Sequence, residues 1–85
     1  MIQNSPQRES YVTSQIDGFR LWLEEKHRAE NTILVYTFAV RQFYELYEQP
    51  DPNTLQLYKC FLLEHYKPQT VNLRIRALNC YMEYQ

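Results

Sequence analysis

The chain has a single glycine and lacks any apolar stretch near the roughly 20 residues that a membrane-spanning helix needs. One glycine in 85 residues argues against a turn-rich β fold and against a glycine loop that cradles phosphates. The first residues, MIQNSPQRES, contain no apolar run typical of a signal peptide. We therefore expect a soluble, intracellular protein with no membrane partner and few tight turns.

Cysteine is also scarce. The two cysteines, Cys60 and Cys80, lie inside apolar helical patterns and lack the close pairing of metal ligands. We expect a pair of buried free thiols, with a disulfide or a metal site as the alternative. We expect no metal, no cofactor and no small-molecule substrate.

Acidic residues are missing from one part of the chain. The whole protein has a net charge of −1, but no Asp or Glu occurs from His65 to Met82. Residues 1–64 carry six basic and nine acidic side chains. Residues 65–85 carry three basic and one acidic side chain, which gives a net charge of +2. This distribution indicates a surface that faces an anion, with chance in a short window as the alternative.

Apolar residues are plentiful and recur at helical spacing. The 45% hydrophobic and 15% aromatic composition argues against disorder. Apolar steps of three and four residues predict four helices, joined by short links at EKHRAEN, EQPDPN and Pro68. We expect a flexible arm over residues 1–9 and a compact all-α bundle over residues 10–85. The expected first residues or N-caps are Ser10, Asn31 or Thr32, Asn53 or Thr54, and Gln69 or Thr70.

The same spacing predicts which side chains form the core. The expected core positions are Val12, Ile16, Phe19 and Leu23, then Ile33, Tyr36, Val40, Phe43 and Tyr47, then Leu55, Tyr58 and Phe61 or Leu62, and finally Val71, Ile75, Leu78 and Met82. Leu34, Phe38 and Leu46 widen the apolar surface of the second helix, which suggests contacts on more than one side. Gly18 marks a possible close crossing of two helices.

The fourth helix then has a polar outward stripe. If its predicted core residues face inward, Asn72, Arg76, Asn79 and Glu83 face outward, and Arg74 lies at the boundary in line with Thr70. Asn and Arg bind base edges and phosphates well. The stripe is consistent with either a nucleic-acid contact or an ordinary solvated helix face.

A second basic segment precedes the second helix. EKHRAENT places Lys26 and Arg28 beside helix N-terminal amides near Asn31 and Thr32, an arrangement that suits a phosphate. The alternative is that these cations complement the dipole of the first helix.

Two stretches together resemble the N-terminal core-binding, SAM-like domain of tyrosine recombinases, the phage-integrase family. They are FRLWLEEKHRAENTILVYTFAVRQFYEL and KPQTVNLRIRALNCYMEY. The resemblance implies a helical bundle that clamps double-stranded DNA within a recombinase tetramer in a bacterial or phage-infected cytoplasm, at the nucleoid. A separate catalytic domain is expected to follow residue 85. Carried over by position, the DNA-binding residues are Lys26, Arg28, Asn31, Thr32, Lys67, Thr70, Asn72, Arg74, Arg76 and Asn79.

The sequence departs from that family at two positions where a basic residue is common, Leu73 and Asn79, and its net charge is negative. These three departures predict weak DNA affinity for this domain. The chain also lacks a His-x-x-Arg arrangement, so we expect no catalytic residue in it. The alternatives are a helical protein–protein interaction module and a small DNA-binding regulator.

Overall fold

The computed structural model describes residues 6–85, which form four α-helices and, within that range, no strand. The helices are α1 (Pro6–Glu25), α2 (Glu30–Leu46), α3 (Pro52–His65) and α4 (Pro68–Tyr84). The prediction of an all-α bundle of four helices is therefore confirmed. No helix of the described range is both long and apolar enough to cross a membrane.

The helix starts differ from the predictions. Residues 6–9, expected in a flexible arm, are helical, so Ser10 lies inside α1 and is not its N-cap. The rest of the predicted arm, residues 1–5, lies outside the described residues. Ala29 is the N-cap of α2 and provides no side-chain cap, so Asn31 and Thr32 lie in its first turn.

Prolines explain the earlier starts of α3 and α4. Pro52 and Pro68 each occupy the first turn of a helix. There the fixed proline φ suits the helix and the missing N–H has no intrahelical acceptor to lose. The predicted starts of α3 and α4 were too late because these prolines were interpreted only as helix breakers. Asp51 is the N-cap of α3 and Lys67 is that of α4.

A capping box fixes the start of α3. The Thr54 backbone N–H donates to Asp51 Oδ1 over 2.9 Å, and the Asp51 backbone N–H donates to Thr54 Oγ1 over the same distance. Two amides that lack intrahelical acceptors are satisfied reciprocally.

The turn between α1 and α2 is a Schellman motif. The Arg28 N–H donates to the Leu23 carbonyl over 3.1 Å and the His27 N–H donates to the Glu24 carbonyl over 3.0 Å. His27 occupies the left-handed position with φ of 58°. Glycine or asparagine is usual there, so His27 adopts a strained backbone conformation.

The core is rich in aromatic rings. Most predicted core positions are buried, but Tyr36, Tyr47, Leu55, Phe61, Ile75 and Met82 are only half-buried. Tyr44 and Ala77 are buried although they were not predicted in the core. The ring of Phe43 meets that of Tyr58 edge to face at 5.5 Å between centroids, a favourable aromatic geometry.

Gly18 and the two cysteines differ in part from the predictions. Gly18 lies against the hydroxyl end of the Tyr84 side chain on α4, so α4 reaches Gly18 through a side chain, and a close crossing of the two helices stays a prediction. Both thiols are free, and Cys80 is buried as expected. Cys60 is exposed, which corrects the prediction of two buried thiols. It lies on the outward side of α3, where the Gln56 side-chain amide donates a hydrogen bond to its sulfur over 3.9 Å.

Candidate nucleic-acid interface

The predicted outward stripe of α4 is present. Asn72, Arg76, Asn79 and Glu83 are all exposed. Val71 and Leu78 point into the core and fix the rotation of the helix. Three polar or basic side chains therefore follow one another along an exposed face, with Glu83 only at its end.

Arg74 is more tightly held than the sequence predicts. Its Nη1 donates a hydrogen bond to Gln42 Oε1 over 2.5 Å. Its Cζ lies 4.9 Å from the centroid of the Phe38 ring and 4.3 Å from that of Tyr66. Contacts with two rings position a guanidinium plane as well as attracting its charge.

Gln42 orients this guanidinium and also hydrogen-bonds to two tyrosines. Its Oε1 also accepts a hydrogen bond from Tyr58 Oη over 2.8 Å, and its Nε2 donates to Tyr66 Oη over 3.1 Å. Hydrogen bonds from Gln42 and Arg74 lower the pKa of Tyr66, while burial raises the pKa of Tyr58 to about 12. α2, α3 and the link before α4 thus converge on Arg74.

The charge of Arg74 has no acidic partner in the described part of the chain. The ion pairing found over residues 6–85 joins Arg20 to Asp17 on the surface of α1, and does not involve Arg74. A guanidinium has five N–H donors, and contacts with Gln42 and Tyr66 leave donors for an external acceptor. The site therefore presents a half-buried, oriented cation suited to a phosphate or carboxylate.

The basic residues of the α1–α2 turn lie beside the second half of α4. Burial raises the pKa of the Cys80 thiol, and the positive charges of Arg28 and Lys26 oppose that shift. Lys26 Nζ also lies 4.7 Å from the centroid of the Trp22 ring. These two cations therefore act on Cys80 of α4, as does the negative charge of Glu83, which raises the same pKa.

This turn is less favourable to an anion than α4. A surface depression here is lined by basic and acidic side chains together, and its polar lining comprises Arg20, Glu24, His27, Arg28 and Glu30. Asn31 is exposed and Thr32 half-buried in the first turn of α2. The mixed charge weakens the attraction for a phosphate at the turn.

The ten predicted residues form two groups rather than one cluster. Lys67 is exposed and Thr70 half-buried at the start of α4, near Arg74. Lys67 and Cys80 are about 20 Å apart along the helix at its rise per residue. Asn72 and Arg76 lie between the two groups, so any ligand that contacts all ten residues must be long.

Three residues of the site were not predicted. Gln42 and Tyr66 were not singled out, and Phe38 was expected to lie against other helices but is more than half exposed. The spacing of Phe38 and Gln42, four residues apart on α2, is a signal that they share a face. No local pattern predicts that Arg74 reaches that face, because the packing of α4 against α2 and α3 decides it.

Comparison of the chain with protein-family models, curated proteins and solved structures finds no match.

Proposed function

We propose that this chain is a DNA-binding domain that contacts duplex DNA through α4 and serves as the core-binding domain of a site-specific tyrosine recombinase. The observation that carries the DNA-binding proposal is the oriented Arg74 guanidinium, which has no carboxylate partner among residues 6–85. It lies on a helix without an acidic residue before Glu83.

Phosphate contact would compensate that charge. Lys67 is exposed roughly in line with Arg74, whereas Arg76 is exposed on the opposite side of α4, about 200° away at 3.6 residues per turn. Asn72 and Asn79 supply amide groups that can hydrogen-bond base edges. Phosphate contacts position the protein on the duplex, and the amides then provide any sequence preference.

The recombinase part of the proposal depends on the two resembling stretches in the sequence. In this proposal the chain helps position protomers on the recombination site, and strand cleavage belongs to a separate domain. Three of the eight tyrosines are poorly suited to act as a nucleophile. Tyr44, Tyr58 and Tyr81 are buried, and burial raises the pKa of each hydroxyl, which disfavours the phenolate that a nucleophile requires.

A salt titration of DNA binding tests the proposal. Arg76→Ala removes an exposed cation from α4, while Lys59→Ala removes a cation that is also exposed, on α3, as the matched control. With a DNA duplex in a band-shift assay from about 50 mM salt upward, Arg76→Ala should lower the slope of log K against log salt by about one. Lys59→Ala should leave the slope unchanged.

Arg74 is the wrong first substitution for this test, because its contacts with Gln42, Phe38 and Tyr66 also stabilise the fold. Circular dichroism should confirm that both alanine variants are folded. The proposal fails if the parent protein shifts no duplex at low salt and high micromolar concentration, or if the two variants behave alike.

A protein-interaction module is the second candidate, favoured by the outward side of α3. Leu57 and Leu63 are 55% and 57% exposed there. An interface on this side would bury apolar area and would depend little on salt. Self-association or partner binding that is lost in Leu57→Lys, together with no DNA binding, would favour this candidate.

A further inference from the structure

We propose that Phe38 and Arg74 form a stacking platform for an unpaired nucleobase, so that the domain prefers DNA with unpaired nucleotides to intact duplex. This inference rests on the proposed DNA binding and adds a substrate class to it. It starts from Phe38, whose side chain lies on α2 next to core positions and yet is 55% exposed.

Arg74 contacts the Phe38 ring, and part of the ring remains exposed. The guanidinium of Arg74 lies over the ring with its Cζ 4.9 Å from the centroid. Despite this contact Phe38 is 55% exposed, so part of its ring surface remains accessible to a ligand. An aromatic ring in contact with water on one face is a surface on which another planar group can stack.

The cation beside this ring is held in place. Gln42 fixes Arg74 through Nη1, and the Tyr66 ring lies against the same guanidinium at 4.3 Å. Rings and guanidinium planes on which bases stack, next to a cation for the backbone phosphate, are the usual means of binding single-stranded nucleic acid. The Phe38, Arg74 and Tyr66 side chains provide all of these groups.

A nucleotide fits this platform better than an apolar protein segment does. A nucleotide supplies a flat ring for Phe38 and a phosphate for Arg74, which has no acidic partner in the described part of the chain. An apolar segment would cover the ring and leave the guanidinium charge uncompensated and further desolvated, which is costly.

The base must be unpaired because the faces of a paired base are stacked on its neighbours inside the duplex. Only gaps, bulges, strand ends or extruded nucleotides expose a base face to a side chain. The platform therefore predicts that the domain binds DNA that has at least one unpaired base beside a duplex.

Fluorescence anisotropy with three labelled DNAs of equal length tests the inference: an intact duplex, the same duplex with a one-nucleotide bulge, and the single strand. The parent protein should bind the bulged duplex about fivefold or more tighter than the intact one, the contribution expected of one stacked base. Phe38→Leu should abolish that difference, so that this variant binds the bulged and the intact duplex with equal affinity, whatever its affinity for either.

Two variants complete the design. Phe38→Tyr keeps the ring and should keep the preference. Leu63→Ala removes a side chain of similar exposure, 57%, from α3 and should also keep it. Circular dichroism should show that all three variants are folded.

The outcomes separate this inference from the proposed function. Equal affinity of the parent for bulged and intact duplex, or a preference that persists in Phe38→Leu, overturns the stacking platform and leaves duplex binding standing. Failure to bind any of the three DNAs overturns both. Self-association of the parent that Phe38→Leu removes, without a bulge preference, assigns the ring to a protein contact and also overturns the platform.

Discussion

Gly18 of α1 lies against the hydroxyl end of Tyr84 on α4, and a methyl group at Gly18 would overlap the Tyr84 Oη. The Tyr84 ring also packs against Phe19 and Trp22, with centroid distances of 5.7 Å to each. The one glycine of the chain therefore lies where a side chain would displace the last aromatic ring of α4. This contact ties the end of α4 to the middle of α1.

The contact predicts that the effect of Gly18→Ala depends on residue 84. Alanine favours a helix over glycine by up to about 1 kcal/mol. In the parent protein, displacement of Tyr84 should cancel or reverse that gain. In a Tyr84→Leu background, which removes the hydroxyl end, Gly18→Ala should stabilise the fold by about 1 kcal/mol.

Urea unfolding of the parent, the two single variants and the double variant measures this coupling. We expect an interaction free energy of about 1 kcal/mol between the two positions, typical of residues in contact. The same effect of Gly18→Ala in both backgrounds would contradict the contact between Gly18 and Tyr84.

His27 predicts a stabilising substitution at the α1–α2 turn. Its φ of 58° is a conformation in which a Cβ atom costs roughly 1–2 kcal/mol. His27→Gly removes that cost but increases the entropy of the unfolded chain, so we expect a net gain of about 0.5–1 kcal/mol. The melting temperature should rise accordingly.

His27→Val is the matched control for this turn. Its β-branched side chain suits the left-handed region least, so this variant should melt below the parent. A melting temperature for His27→Gly equal to or below that of the parent would show that His27 makes a compensating contact.

The sequence predicted the helices well because aromatic and aliphatic residues recur strongly at helical spacing. The predicted helix starts were wrong for a local reason. Pro52 and Pro68 occupy the first turns of α3 and α4, and such a proline cannot be told from a helix-breaking proline until the N-cap residue is known. The contacts of Arg74 were not predicted for a different reason. Its partners Gln42 and Phe38 are more than 30 positions away, so only the packing of helices brings them together.

Tyr44 and Tyr81 predict a loss of stability in alkaline solution. Their hydroxyls share a hydrogen bond of 2.7 Å in the core, and Tyr81 Oη also donates to Gln15 Oε1 over 3.1 Å. Burial raises the pKa of Tyr44 to about 12 and that of Tyr81 further above its ordinary value. Unfolded tyrosines titrate near pH 10.

The sign of the pH dependence follows from these shifts. Above about pH 10 the unfolded chain releases protons that the folded chain keeps, so stability that is fully present below pH 10 declines as the pH rises toward 12. Each buried hydroxyl contributes a slope of up to about 1.4 kcal/mol per pH unit. Urea midpoints across this range should fall less steeply for Tyr44→Phe than for the parent. Equal slopes would contradict the raised pKa of Tyr44.

The last prediction concerns Gln42 and separates the structural role of Arg74 from its proposed role in DNA binding. Gln42→Glu places a carboxylate where a neutral amide oxygen now accepts from Arg74 Nη1 and Tyr58 Oη. Both donors keep an acceptor, and a charge-assisted hydrogen bond to Arg74 is stronger than a neutral one, so the fold should gain about 1 kcal/mol. The melting temperature measures that gain.

The same substitution should weaken DNA binding. A carboxylate beside Arg74 compensates the charge that we propose a phosphate compensates, and it repels the phosphate directly. Affinity for duplex DNA should therefore fall severalfold in a protein that melts at a higher temperature. Gln42→Leu is the control that removes the acceptor without adding charge, and it should destabilise the fold by about 1–3 kcal/mol because Tyr58 Oη loses its short hydrogen bond. If Gln42→Glu melts higher and binds DNA as well as the parent does, Arg74 only stabilises the bundle, and the proposed DNA contact must move to Arg76 and the exposed end of α4.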